Sequence, residues 1–121
     1  MIDNIAVIGA GTMGNGIVHV FAQHGHQVHL IDISRESLQK GLDTIEKNLQ
    51  RMLSKGVIDK AAIANTLGNI KTFTSIPEGV RQADLVVEAA TEDTTLKKNI
   101  FKDLDAHCPE GTILATNTSS I

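Results

Sequence analysis

The sequence predicts an α/β fold with a doubly wound parallel sheet, and three observations carry this prediction. An apolar segment, residues 5–8, leads directly into Gly9-Ala-Gly11-Thr-Met-Gly14. A helical stretch and a second apolar segment follow, and the second segment ends in Asp32. Strand-like and helical segments then alternate along the rest of the chain, which implies right-handed crossovers and the strand order 3-2-1-4-5.

The glycine spacing after the first strand has the form that receives a dinucleotide pyrophosphate in Rossmann-type folds. Gly9 permits the tight turn, Gly11 lets the backbone approach the pyrophosphate, and Gly14 lets the following helix pack close to the sheet. The unpaired N–H groups and the positive dipole end of that helix then face the phosphates. We expect the cofactor to contact the whole turn, namely Gly9, Ala10, Gly11, Thr12, Met13 and Gly14.

An acidic residue follows the second predicted strand, at the place where a dinucleotide ribose is bound. Asp32 lies 18 residues after Gly14, at the carboxyl end of that strand. A carboxylate there accepts hydrogen bonds from the adenosine ribose hydroxyls and repels a 2′-phosphate, so the sequence favours NAD over NADP. The alternative is that Asp32 only caps the helix that opens near Ser34.

Composition and charge exclude several classes of protein. The chain has 121 residues, about one domain, and 41% of them are hydrophobic. The formal net charge is −3 and the basic residues are scattered, which argues against nucleic acid or an anionic membrane as a partner. No basic leader and no membrane-spanning apolar segment is recognisable, so we expect a cytoplasmic protein. Cys108 is expected to be a bystander thiol, with catalysis beside His107 as the alternative, and no metal site is expected.

The first helices are predicted from apolar positions at helical spacing. The first helix, at residues 13–24, is expected to bury Ile17, Val20 and Phe21. The second helix begins near residue 34 and stops at Lys55-Gly56. Its buried stripe is expected to comprise Leu38, Leu42, Ile45, Leu49 and Met52.

The remaining segments complete the alternation of strands and helices. Ile-Pro-Glu-Gly at 76–79 is interpreted as a break in regular structure, followed by one helical turn at 80–83. An apolar run at 85–90, broken only by Glu88, predicts a strand covered on both faces. The other predicted elements are a helix at 59–67, a strand at 70–74, a helix at 94–107 and a strand at 112–116. Because the chain ends just after a strand, the sheet is expected to be truncated before its last strands.

Several motifs together resemble one family of dehydrogenases. The motifs are the glycine turn, Asp32, the segment Asp84-Leu-Val-Val-Glu-Ala-Ala90 with Glu92, and Asn-Thr-Ser-Ser at 117–120. Over essentially all 121 residues the chain is similar to the N-terminal portion of L-3-hydroxyacyl-CoA dehydrogenases, particularly the 3-hydroxybutyryl-CoA dehydrogenase type. The resemblance implies an NAD-dependent oxidoreductase that transfers a hydride between the C3 hydroxyl of a short-chain L-3-hydroxyacyl-CoA and NAD, in fatty-acid or butyrate metabolism.

The resemblance also assigns roles to single residues. It implies that Glu92 and Lys97 contact the nicotinamide-ribose side of the cofactor, although Lys97 also fits a solvated lysine. It places Ser119 at the junction of nicotinamide and substrate, as a catalytic and substrate-binding hydroxyl. Without the resemblance, the residues at 117–120 indicate a cap and turn cluster. Asn48 and Lys55 match positions that approach coenzyme A, and Asn48 departs from the hydroxyl residue that is commoner there.

The resemblance further implies that catalysis requires residues outside this sequence. In the family a histidine takes the proton from the 3-hydroxyl and a glutamate orients it, and both lie beyond the Asn-Thr-Ser-Ser motif. None of His19, His24, His26, His29 and His107 is expected at the nicotinamide end of the sheet. We therefore interpret 1–121 as the incomplete NAD-binding domain of a longer, homodimeric enzyme, inactive alone. The alternatives are a stand-alone NAD-binding or structural module without catalysis, and an enzyme for another small hydroxy acid.

Overall fold

One parallel sheet of five strands, in the order β3-β2-β1-β4-β5, organises the protein. The computed structural model describes residues 3–89 and 94–116, with backbone alone at 94–97 and 116. The predicted fold class and strand order are confirmed. The elements are β1 (Asn4–Ile8), α1 (Thr12–Gln23), β2 (Gln27–Ile31), α2 (Arg35–Ser54), α3 (Lys60–Gly68), β3 (Ile70–Phe73), α4 (Ile76–Val80), β4 (Leu85–Glu88), α5 (Thr94–His107) and β5 (Ile113–Thr116).

The central strand β1 divides the hydrophobic core into two layers. Side chains alternate along a strand, so Ile5 and Val7 face one layer and Ala6 and Ile8 face the other. Helices α1, α2 and α3 cover the first layer, while α4 and α5 cover the second. Because β1 is covered on both faces, all its positions from Ile5 to Ile8 are buried, and its carboxyl end is held at a fixed place in the sheet.

The inward face of α1 differs from the sequence prediction. Val20 is 55% exposed, and Ile17 and Phe21 are only half-buried. The buried positions are Gly14, Asn15, Val18 and Ala22. Gly14 lies against the Gly9 carbonyl group, and this contact sets the rotation of the helix so that every fourth residue after Gly14 points to the sheet.

Helix α2 has the predicted amphipathic pattern, but one position of its buried stripe differs from the prediction. Leu38, Ile45 and Leu49 are buried, as expected, but the fully buried position between them is Gly41, and Leu42 is half-buried. Ser34 is the N-cap of α2, since its hydroxyl oxygen accepts the Ser37 N–H at 3.1 Å.

Helix α4 lies in a segment that the sequence analysis predicts to be a break between elements. That prediction is wrong. The helix spans Ile76–Val80, before the single turn expected at 80–83. Pro77 is compatible with the first turn of α4, because a backbone N–H there would have no intrahelical acceptor. Gly79 lets the helix pack directly on Ile31, because a β-carbon at position 79 would overlap the Ile31 side chain. The glycine therefore reflects close packing on the sheet.

Asp84 attaches the start of β1 to the start of β4. Its Oδ2 atom accepts hydrogen bonds from the backbone N–H groups of Asp3 and Asn4, each at 3.0 Å. These bonds, first the one from Asn4 and then the one from Asp3, lower the pKa of the Asp84 carboxyl below its ordinary value of 3.8. The ionised form is thus favoured in the folded protein.

We expect Asp84→Asn to lower the melting temperature at pH 7 and to do so progressively less as the pH falls. A carboxyl with a lowered folded pKa stabilises the fold above its unfolded pKa, and this stabilisation is lost as the pH falls through the folded value. Thermal unfolding followed by circular dichroism between pH 7 and pH 3 measures the effect, with the exposed Asp103→Asn as control. An Asp84→Asn deficit of equal size at both pH values would contradict the assignment.

Candidate functional site

The turn between β1 and α1 is held by two backbone contacts at the carboxyl edge of the sheet. Gly9 has a φ of 106°, a conformation that favours glycine, and its N–H donates to the Ile31 carbonyl at 2.7 Å. The next N–H, that of Ala10, donates to Asp32 Oδ2 at 3.0 Å. The turn therefore follows the end of β2 closely and has a defined shape before any ligand binds.

The glycines of the turn have separable roles. A β-carbon at Gly14 would collide with the Gly9 carbonyl group, so the packing of α1 requires glycine at position 14. A β-carbon at Gly11 would meet nothing within 4 Å, and Gly11 has an ordinary φ of −68°. The protein itself therefore places no demand for glycine at position 11. The open space beside Gly11 fits the close approach of a pyrophosphate.

The N-terminus of α1 faces this same space without a side-chain cap. Its N-cap residue is Gly11, which makes no capping hydrogen bond. By contrast, Ser34 caps α2, and Asp59 caps α3 by accepting the Ala62 N–H at 2.9 Å. Unpaired N–H groups and the positive end of the helix dipole favour an anion at such a position. The geometry of residues 9–14 therefore fits a phosphate-bearing ligand.

Asp32 joins the turn to the start of α2. Its Oδ2 atom accepts the Ala10 N–H, and its Oδ1 atom accepts the Ser34 N–H at 2.9 Å. It is not the cap of α2, because Ser34 has that role, so the alternative interpretation of Asp32 as a helix cap is wrong. Each carboxylate oxygen retains further acceptor capacity, and the residue is only half-buried. The carboxylate is thus positioned and accessible for ribose hydroxyls.

The other predicted site residues lie on α2, on α5 or outside the described residues. Asn48 is half-buried on α2 and Lys55 is exposed at its C-cap, two helical turns further along. Lys97 belongs to α5, after β4, but its side chain lies outside the described part of the structure. Glu92 and Ser119 also lie outside the described residues. The structure therefore brings together residues 9–14 with Asp32, and their relation to the other positions stays a prediction.

Two residues near the turn were missed by the sequence interpretation. Asn15 is only 9% exposed although its side chain is polar, and Gly41 of α2 packs against Ala10 and Asn15. A β-carbon at Gly41 would lie 3.1 Å from the Ala10 carbonyl oxygen. A glycine within the buried stripe of an amphipathic helix is the signal that could have shown this contact.

Histidine contacts in the described structure are mainly structural. The Nδ1 atom of His29 donates to the Gly79 carbonyl at 2.9 Å, and the Nδ1 atom of His24 donates to the Val20 carbonyl at 2.7 Å. The His26 ring packs edge-on against Phe21. Burial and, secondarily, Asp105 raise the pKa of the Cys108 thiol, which reduces its thiolate character.

The described residues contain neither a metal-binding cluster nor a membrane-spanning helix. Within residues 3–89 and 94–116, no cluster of three or more His, Cys, Asp or Glu is arranged to hold a metal ion. Among the helices of the same residues, none is both long and apolar enough to cross a membrane.

Comparison with known proteins decides the family. Residues 4–121 match the model of the 3-hydroxyacyl-CoA dehydrogenase, NAD binding domain. The chain belongs to this family. The resemblance inferred from the motifs is confirmed, and NAD, which the family's domain binds, is the cofactor that the glycine turn and Asp32 fit.

The relatives of this NAD-binding domain are longer proteins. The chain is 45% identical over 117 residues to 3-hydroxybutyryl-CoA dehydrogenase of Clostridioides difficile, covering 97% of this chain and 41% of the relative. It is 44% identical over 120 residues to 3-hydroxyadipyl-CoA dehydrogenase of Escherichia coli, covering 99% and 25%. The crystal structure of 3-hydroxybutyryl-CoA dehydrogenase from Escherichia coli superposes with a TM-score of 0.95 at 44% identity, covering 100% and 25%. The chain thus spans between a quarter and about two fifths of these proteins.

We expect Gly11→Ala to weaken NADH binding at least tenfold while costing about 1 kcal/mol or less in stability, the range of an N-cap change. The added methyl group occupies the space that the pyrophosphate needs. Titration of NADH fluorescence gives the dissociation constant, and thermal unfolding gives the stability.

The matched control is Gly16→Ala, also on α1, where an added β-carbon meets nothing within 4 Å. It should bind NADH normally and gain about 0.5–1 kcal/mol of stability. Equal NADH affinity in wild type and Gly11→Ala would show that position 11 does not contact the cofactor.

Proposed function

We propose that this chain is the NAD-binding portion of an oxidoreductase that transfers a hydride between the C3 hydroxyl of a short-chain L-3-hydroxyacyl-CoA, such as 3-hydroxybutyryl-CoA, and NAD. The observation that carries the cofactor part is the open space at Gly11 beside the uncapped N-terminus of α1. The names of the relatives support the substrate class, since both are dehydrogenases of 3-hydroxyacyl-CoA compounds. NAD would accept the hydride, and this chain would bind NAD and orient it.

The proposed cofactor contacts follow the carboxyl edge of the sheet. Residues 9–14 bind the pyrophosphate, and Asp32 accepts the hydroxyls of the adenosine ribose. Glu92 and Lys97 follow β4, and we propose that they contact the nicotinamide-ribose side. Ser119 follows β5, and we propose that its hydroxyl hydrogen-bonds the reacting oxygen of the substrate. Ligands of open α/β sheets bind outside these strand ends, which supports the placement.

The proposed coenzyme A contacts lie on one face of α2. Asn48 and Lys55 are seven residues apart, which places them on the same face about 10 Å apart along the axis. Exposed Lys40, Lys47 and Arg51 lie on the same side of the helix. Acidic Glu36 and Asp43 share this side, and Lys40 pairs with Glu36, but the three basic side chains outnumber them and suit the phosphates of coenzyme A.

We also propose properties of the longer protein to which this chain belongs. We propose that residues 1–121 form an incomplete domain, and that the longer enzyme is a cytoplasmic homodimer acting in fatty-acid or butyrate metabolism. The proton acceptor for the 3-hydroxyl is then a histidine outside this sequence. Three histidine contacts support this view: His26 packs on α1, His29 bonds α4, and His24 bonds the last turn of α1.

The alternative is a binding module that takes NAD without acyl-CoA. The same histidine contacts favour it, because the His24 and His29 rings are engaged in hydrogen bonds to backbone carbonyls. Calorimetric titration with acetoacetyl-CoA, and with acetoacetate as the carrier-free control, distinguishes the two. Saturable binding of acetoacetyl-CoA that Lys55→Gln weakens supports the dehydrogenase, whereas NADH binding without acetoacetyl-CoA binding supports the module.

We expect the chain to bind NADH more tightly than NADPH, and Asp32→Asn to reduce NADH affinity by about 10-fold to 100-fold. This range corresponds to the loss of about 1.5–3 kcal/mol for hydrogen bonds to a charged group. Parallel fluorescence titrations with both nucleotides measure it, and the sequence contains no Trp or Tyr to interfere. The control is Glu46→Gln, an exposed charge change on α2. A wild-type preference for NADPH would contradict the role of Asp32.

A further inference from the structure

The outer face of α1 is apolar and largely exposed. Helix α1 buries Val18 and Ala22 against the sheet, and the residues of its other side form a shallow groove of about 610 Å³. No charged residue occurs between Thr12 and Gln23. We call this surface the α1 outer face, and it comprises Thr12, Met13, Gly16, Ile17, Val20 and Phe21.

Helix α1 therefore lacks the charged outer face that surface helices normally have. Helix α2 has such a face, where Glu46 and Lys47 are exposed. On α1, by contrast, Met13 is 57% exposed and Val20 is 55% exposed. Thr12 is the one polar side chain among the six lining residues, whereas a pocket for a small molecule has several polar groups that orient it. The α1 outer face thus fits the apolar surface of a protein segment.

Gly16 indicates that a further element packs closely on this face. Glycine destabilises a helix interior relative to alanine, so its presence there requires a reason such as close packing. Gly14, Gly41 and Gly79 have this reason, since a β-carbon at each would lie 3.1 Å or less from a neighbouring segment. A β-carbon at Gly16 would meet nothing within 4 Å. Gly16 therefore leaves a notch in the exposed surface of α1, and the side-chain ridge of a second helix fits such a notch.

The exposed apolar surface continues from α1 onto the sheet. Leu85 of β4 and Ala115 of β5 belong to the core layer that α1 covers, and both are only half-buried. Ile113 of β5 pairs in register with Leu85, so its side chain lies on the same side of the sheet, where it is 53% exposed. A helix that covers this surface would therefore lie beside α1, over β4 and β5.

The size of this surface favours a helix of the same polypeptide over a separate partner. A 12-residue helix is about 18 Å long, and α1 with the two strands is about 20 Å wide, which gives roughly 360 Å². A stable interface between separate chains buries roughly 800 Å² on each partner. A tethered helix needs less area, because its effective concentration is high. Longer polypeptides provide such segments, and this chain covers only 41% and 25% of the two relatives named above.

We propose that the α1 outer face, with the adjoining surface of β4 and β5, binds an amphipathic helix that belongs to the remainder of the longer enzyme. The inference rests on the proposed function, because that function makes this chain a portion of a longer oxidoreductase. Apolar side chains of the bound helix pack on Gly16 and between Met13 and Val20. Because Met13 also belongs to the glycine turn, the bound helix fixes the end of α1 that lies next to the proposed pyrophosphate site.

Thermal unfolding of two proteins, the 121-residue chain and the longer product of the same gene, tests the proposal. In the 121-residue chain, Gly16→Leu should raise the melting temperature by about 2–4 °C, because leucine is the better helix former and meets open space. In the longer protein the same change should lower the melting temperature by about 3 °C or more, because the added side chain overlaps the bound helix. A general folding defect cannot produce this change of sign.

Val20→Ser is a second variant, and it adds no bulk. It should change the melting temperature of the 121-residue chain by about 1 °C or less, because Val20 is exposed and the two residues have similar helix propensities. In the longer protein it should lower the melting temperature by about 2 °C or more, because an apolar contact is lost. The matched control is Val57→Ser, between α2 and α3, where the valine is 64% exposed. Its effect should be the same in both proteins.

Contrary outcomes separate this inference from the proposed function. Equal effects of Gly16→Leu and Val20→Ser in the two proteins would overturn the inference, as would a gene product of only 121 residues. Dimerisation of the shorter chain in analytical ultracentrifugation, abolished by Val20→Ser, would assign the face to a second copy and also overturn it. Titration of the shorter chain with NADH tests the cofactor site separately. Absent NADH binding, with the change of sign at Gly16 intact, would contradict only the cofactor site.

Discussion

The carboxylate of Asp32 is the interaction on which the rest of the site depends. It accepts the N–H of Ala10 with one oxygen and the N–H of Ser34 with the other. These bonds connect the ends of β1 and β2 to the start of α2, so the glycine turn and α2 have fixed relative positions. An ionised carboxylate makes stronger hydrogen bonds than a neutral acceptor, and we propose that the charge that shapes the turn also selects the cofactor. In this proposal, one residue determines both the shape of the turn and the cofactor specificity.

The glycines around this carboxylate serve different physical demands. Gly9 supplies a positive φ, Gly14 allows α1 to contact the preceding turn, and Gly41 allows α2 to approach the same turn from the opposite side. Gly11, by contrast, has neither a positive φ nor a close contact that requires glycine, and it adjoins the uncapped end of α1. The contact at Gly14 also rotates α1 so that Asn15 faces α2. The shape of the glycine turn and the close approach of α2 are thus consequences of one packing arrangement.

Much of this arrangement could be predicted from the sequence. Buried parallel strands are continuously apolar, so the strand order and the glycine turn with Asp32 followed from local pattern. The sequence predictions failed at positions where tertiary contacts determine the local structure. Pro and Gly at 77 and 79 resembled a turn, but the space above Ile31 accommodates a helix there. The burial of Asn15 depends on a neighbouring helix that periodicity within α1 cannot reveal. The roles of Glu92, Lys97 and Ser119 stay predictions from the family resemblance.

A ¹⁵N–¹H correlation spectrum of the labelled chain, recorded during titration with NADH, shows directly whether the glycine turn binds the cofactor. We expect the largest saturable shifts at the backbone amides of Gly11, Thr12 and Met13, because these are the N–H groups proposed to face the pyrophosphate. Smaller shifts are expected at Ala10 and Ser34, whose N–H groups share the Asp32 carboxylate with the ribose. Saturable shifts that leave these amides unchanged and map elsewhere would contradict the assignment of the glycine turn as the cofactor site.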